Sequence, residues 1–212
     1  EIRESMALSL QAENALATGD AGLAFDLIAA AISKSVRAPT RYLFARCRME
    51  IQRGDIEAAA ASIAEIRSHA LPADDPDRTE DKAALYLEGL VDLHNSKFDS
   101  AIDTIRRAID TEGYRYAIYQ LGLARALLAG NQAEEALRHA GQARMSRDAG
   151  NIRLDLERDR AMAQLLEIRL TTAAGDSNKA GELIQDYERR WGRAELDAMQ
   201  AGPVTQLTTG ID

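Results

Sequence analysis

The chain has 212 residues, 46% of them hydrophobic, which is enough to bury a core and excludes a disordered polymer. Its net charge of −8, from 26 basic and 34 acidic residues, argues against nucleic acid as a partner, because the protein's field would repel a phosphate backbone. Alanine and leucine dominate the apolar fraction, aromatics are 5% and prolines number four, a mixture that favours closely packed helices over strands.

Taken in chain order, amphipathic stretches alternate with short turn signals. The first stretch ends at Gly19-Asp20 and a second begins at once, with Ala24, Ile28 and Ala31 at i, i+4, i+7 spacing. Gly54-Asp55 repeats the joint and leads to Ala59, Ile63 and Ile66. A proline-rich acidic loop from Leu71 to Arg78 separates this pair from the next. Ser96 then leads to Ala101, Ile105 and Ala108, and Asn131 to Ala136, Ala140 and Ala143, the same phase without the glycine. A second connection, Met145 to Ile152, precedes the last joint, Gly175-Asp176, followed by Ala180, Ile184 and Tyr187. Successive joints lie 35, 42, 35 and 44 residues apart, a two-helix unit repeated five times with two longer connections. Arg193 to Gln200 reads as one more short helix that caps the last apolar face, with Trp191 beside it. Beyond Gly202-Pro203 the chain is threonine-rich and expected to be flexible, so the domain boundaries are 1–200 for the repeats and 201–212 for a tail.

No apolar run reaches the length of about 18 residues that a membrane-spanning helix needs; the richest, Ala21 to Ile32, is broken by Gly22 and Asp26. Without such a run the chain reads as soluble. It opens Glu1-Ile2-Arg3-Glu4, without an initiator Met or a signal-peptide apolar region, which suggests a mature fragment and leaves the compartment, cytoplasm or periplasm, open. The alanine- and arginine-rich style is compatible with a bacterial source. Cys47, the single cysteine, falls on the apolar phase of its helix and is expected to behave as a small hydrophobe.

These repeats carry a family resemblance. Leu85 to Ile102, with Gly89, Phe98 and Ala101 in place, and Ala15 to Phe25, with its Gly-Asp turn and Ala24, resemble the tetratricopeptide (TPR) family. The resemblance covers roughly residues 5 to 190. The units are degenerate: the signature Trp and closing Pro are absent, and Glu88 and Asp92 stand where apolar residues are usual. The fold it implies is all-α, a right-handed α-solenoid of about five helix-turn-helix hairpins with a C-terminal capping helix. Another α-solenoid or an irregular helical bundle is the alternative architecture.

Chemistry is sparse. His69, His94 and His139 are scattered, without an i, i+4 pair or a companion Cys, and are expected on the surface or in the groove; no metal or cofactor is expected. Asp74, Asp75, Asp77, Glu80 and Asp81 offer oxygen ligands but lack the glycine and terminal Glu of a calcium loop, so a solvated acidic loop is the expectation. The alternating charges from Arg153 to Arg160 read as a solvent-exposed helix face. No phosphate loop, nucleophile elbow or Cys/His pair points to an enzyme.

The TPR resemblance implies that first helices line a concave surface, with ligand contacts ten and six residues before each turn. The first set is Ser9, Phe44, Tyr86, Leu121 and Leu165; the second is Glu13, Arg48, Leu90, Arg125 and Arg169. Residues four apart share a helix face. The expected partner-binding residues are therefore Arg41, Phe44, Arg48, Tyr86, Leu121, Arg125 and Arg169, an apolar strip flanked by guanidinium groups. Such a strip suits an acidic-hydrophobic segment of a protein or peptide. Equally open at this stage is that the arginines pair with acids on neighbouring helices, such as Glu50 or Asp92. The Lys and Asn of a chaperone-tail clamp are missing: Ser9, Glu13, Phe44 and Arg48 occupy those sites. The function expected is an interaction scaffold within a multiprotein assembly. The alternative is a sensory or substrate-docking helical domain of a larger enzyme or regulator.

Overall fold

The computed structural model describes residues 2–35, 39–75, 78–113, 116–146 and 154–192. Ten helices and no strand occur among them: α1 (Ile2–Ala17), α2 (Ala21–Lys34), α3 (Thr40–Gln52), α4 (Ile56–Ser68), α5 (Glu80–His94), α6 (Phe98–Asp110), α7 (Ala117–Ala129), α8 (Ala133–Met145), α9 (Leu154–Ala173) and α10 (Ser177–Trp191). The expected capping helix at 193–200 and the tail at 201–212 lie outside the described residues.

Each odd-numbered helix pairs with the helix that follows it, and each even-numbered helix packs on the first helix of the next hairpin. The odd-numbered helices also touch one another, α1 to α3, α3 to α5, α5 to α7 and α7 to α9. The result is an all-α stack of five helical hairpins with the odd helices in one layer.

The five joints share one backbone. Gly19, Gly54, Ser96, Asn131 and Gly175 all have positive φ, from 58° to 87°. At the first joint the Gly19 N–H donates to the Leu16 carbonyl at 3.0 Å and the Asp20 N–H to the Ala15 carbonyl at 2.9 Å. Ser96 and Lys97 repeat this with Leu93 and Asp92, at 3.0 and 2.9 Å. That pair of bonds satisfies the last carbonyls of the outgoing helix and reverses the chain. In the Gly-Asp joints the aspartate also caps the incoming helix: Asp20, Asp55 and Asp176 each accept from a backbone N–H three residues on, at 3.0, 3.2 and 3.1 Å. Lys97 and Gln132, at the same position in the other two joints, provide no side-chain cap.

Packing follows the same register. Ala24, Ala59, Ala101, Ala136 and Ala180, five residues past each turn, are all buried. The residues seven before each turn, Ala12, Cys47, Gly89, Ala124 and Ile168, are buried as well. At Gly89 the approach is closest, since a Cβ there would lie 2.4 Å from Ile105 Cγ1 and 3.3 Å from the Ala101 carbonyl. Cys47 takes the same place in its hairpin, its thiol donating to the Ala59 carbonyl at 3.5 Å. Burial pushes that thiol up to about 12, so it stays protonated and inert.

Ion pairs link successive hairpins: Arg67 to Glu88 at 2.6 Å, Arg106 to Glu135 at 2.9 Å and Arg144 to Glu167 at 2.6 Å. Glu88 is thus the anionic end of a link from α5 to α4. Within the acidic loop, Arg78 pairs with Asp81 at 2.6 Å and donates to the Leu71 carbonyl, so the loop is pinned by a guanidinium and is not simply solvated.

Candidate functional site

The odd-numbered helices enclose a cavity of about 260 Å³. Every residue lining it belongs to α1, α3, α5, α7 or α9. Of the residues counted back from the turns, Glu13, Arg48, Tyr86, Leu90, Leu121 and Arg125 meet there. Leu16, Met49 and Ile118 complete much of an apolar wall.

Tyr86 anchors this wall. Its ring stacks on Phe44 with centroids 5.8 Å apart and meets Tyr119 edge-on at 4.9 Å. Its hydroxyl donates to the Ile118 carbonyl at 3.0 Å, and burial raises its pKa to about 12, so it stays neutral. Gly122 makes the position possible: a Cβ there would come within 2.5 Å of the Tyr86 ring. Phe44 thus supports Tyr86 from behind and is not itself part of the lining.

Arg125 carries the electrostatics. Burial lowers the pKa of its guanidinium, Arg48 and Arg158 also oppose the charge, and Asp159 favours it. An arginine nonetheless remains cationic throughout the physiological range. Among the described residues it makes no ion pair. The acids considered as its structural partners are engaged elsewhere. Glu50 accepts from Ser62 at 2.5 Å and lies 3.4 Å from Arg46, while Asp92 accepts from Ser100 at 2.6 Å. Three guanidinium groups and two carboxylates (Arg48, Arg125, Arg158, Glu13 and Asp159) line the cavity, which is therefore locally cationic within a chain of charge −8.

The remaining expected residues lie apart from this cavity. Arg41 is exposed on α3, and Arg169, its pKa lowered by burial, is on α9 beyond the lining. Leu165 packs with Ile168, Leu183 and Tyr187 in the core of the last hairpin. The cause is the length of α9: at 20 residues it reaches further back than the other inner helices and meets the cavity through Arg158, Asp159 and Met162. These lie about two turns before the places the repeat register indicates.

Of the charge run at Arg153 to Arg160, Arg153 and the side chains of residues 154–156 lie outside the described residues, and the rest is not a uniformly exposed face. Glu157 and Arg160 do pair along the helix at 3.1 Å. Asp159, however, is buried, and Arg158 reaches α1 to pair with Glu13 at 2.5 Å. His139 also departs from the expected surface or groove position. It is buried, with Nδ1 2.6 Å from the Gln120 side-chain oxygen and Nε2 3.6 Å from Glu135. His69 and His94 are exposed. No group of three or more metal-ligating side chains occurs among the described residues, and no described helix is long and apolar enough to cross a membrane.

Compared with protein-family models, with curated proteins and with solved structures, the chain matches none, so its own residues carry the functional argument.

Proposed function

We propose that the chain is a non-catalytic interaction module of the tetratricopeptide type. Its inner layer receives an acidic-hydrophobic segment of a partner protein or peptide. The observation that carries this reading is Arg125: a half-buried cation, without an ion pair among the described residues, facing a cavity walled by Tyr86, Leu90 and Leu121. A guanidinium in that setting attracts a carboxylate more strongly than one in water, because the local dielectric is lower. Apolar groups of the same ligand gain roughly 25 cal/mol for each Å² they bury against the wall. At about 260 Å³ the space lies just below the roughly 300 to 1,000 Å³ of drug-sized ligand sites. It suits one or two inserted side chains better than a long extended segment.

The test is selection from a displayed library of random peptides against the parent and an Arg125→Met variant. The parent should enrich peptides with Asp or Glu next to a leucine-like residue, and the variant should lose the acid preference while keeping its helicity. Enrichment of the same sequences by both proteins would remove Arg125 and the cavity from the binding account.

A further inference from the structure

One side-chain pair at the cavity joins the first hairpin of the stack to the last. Glu13, on the first helix, and Arg158, on the ninth, meet at 2.5 Å, although 145 residues separate them in sequence. Both line the cavity. The Glu13 side chain is 17% exposed and the Arg158 side chain 51%, so the pair sits with its acid inward and its base at the rim. The chain thus places a carboxylate of its own against the arginine-bearing inner layer that the proposed ligand would use.

We propose that Glu13 is an internal competitor: its carboxylate holds the cavity closed through Arg158, and a ligand carboxylate enters by replacing it. This rests on the reading of the cavity as a carboxylate site. The exchange is favourable for three reasons. A partly exposed ion pair between flexible side chains contributes little net stability, so opening it costs little. Swinging Glu13 outward leaves Arg48, Arg125 and Arg158 with Asp159 alone among the lining acids, which strengthens the attraction for an anion. The incoming acid also brings apolar surface that Glu13 lacks, and the wall of Leu90, Ile118 and Leu121 is there to cover it.

Two readouts test this. The first needs no ligand. Spin labels on Gln11→Cys in α1 and Ala173→Cys in α9, both exposed positions, report the separation of the end hairpins, and the buried Cys47 stays unlabelled. Glu13→Gln and Arg158→Gln should each lengthen or broaden the distance distribution of the parent. The second is titration with 4-phenylbutyrate as a minimal apolar carboxylate, with its primary amide as the neutral control. Glu13→Gln should bind the acid about threefold to fivefold tighter than the parent, the factor that opening one partly exposed pair supplies. Arg158→Gln, which opens the mouth but removes a cation, should show no such gain, and the amide should bind all three proteins alike.

Unchanged distances in both variants would overturn the inference whatever the probe does. Acid preferred over amide, but equally by parent and Glu13→Gln, would also overturn it while leaving the cavity reading intact. No preference for the acid in any of the proteins would remove the carboxylate site itself, and the competitor with it.

Discussion

The third and fifth hairpins are built on one register and differ at the crossing of their two helices. In the third, Gly89 lets α5 approach until Ile105 and the Ala101 carbonyl fill the space a side chain would take. In the fifth, Ile168 is buried at the equivalent place, packed with Leu183 and Tyr187, and the two helices pack less closely. A small residue at the crossing binds the two helices of a unit tightly to each other. A large one spaces them, and there the long α9 makes its contacts with α8 and α7 as well as with α10. The interior of the stack is thus fixed within hairpins, while its end is fixed between them.

The largest expected effect comes from giving the third hairpin the fifth hairpin's residue. Gly89→Ile should destabilise the protein near the upper end of the about 1 to 3 kcal/mol that overpacking costs in denaturant unfolding, because even a Cβ there would meet Ile105 at 2.4 Å, although removing a helix-interior glycine recovers a few tenths. Wild-type stability in that variant would show that α5 and α6 can separate as α9 and α10 do. Next, Ala59→Leu and Ala136→Leu each intrude on a close crossing and should cost about 1 to 3 kcal/mol. Ala180→Leu should cost less, because Ile168 already holds that crossing open; an equal loss at all three sites would erase the distinction.

Smaller effects come from the joints and from one buried ring. Ser96→Gly should stabilise by about 0.5 to 1 kcal/mol, since φ of 58° strains a residue with a Cβ but not glycine. A melt shifted downward would mean that the hydroxyl, not the backbone, governs that turn. For His139, burial is the first cause of a pKa lowered from 6.5, with Arg138 adding to it and Glu135 opposing. The folded state therefore binds this proton less tightly than the unfolded chain, and stability falls as pH drops through the ordinary imidazole range. Unfolding midpoints at pH 7 and pH 5.5 should differ more in the parent than in His139→Gln; equal differences would show that the ring does not set the slope.

Much of the fold was legible because it rests on local chemistry. The Gly-Asp joints combine a residue that tolerates positive φ with one that caps the next helix, and both signals are written in two adjacent letters. Ser96 and Asn131 were found by phase alone, and they adopt the same backbone without glycine. The inner positions Glu13, Arg48, Tyr86, Leu121 and Arg125 followed from the family resemblance, which implies inner-surface sites ten and six residues before each turn. Arg158 and Asp159 did not, because their place depends on how far α9 extends beyond the repeat, a property of the connection before it and not of the repeat. His139 was missed for a similar reason: its burial comes from Gln120 on the preceding helix and Glu135 one turn before it, and neither is marked by any repeat signal.

Recognition of a carboxylate by Arg125 inside the cavity can be probed by exchanging the two charges. A peptide with Glu beside a leucine, drawn from the selection, and the same peptide with Lys in place of Glu are titrated against the parent and Arg125→Glu, with helicity of both proteins checked first. The parent should favour the Glu peptide by about tenfold or more, a difference of about 1.4 kcal/mol, and the variant should reverse the order. A variant of unchanged helicity that keeps the parental order, or a parent that binds both peptides alike, would contradict that recognition.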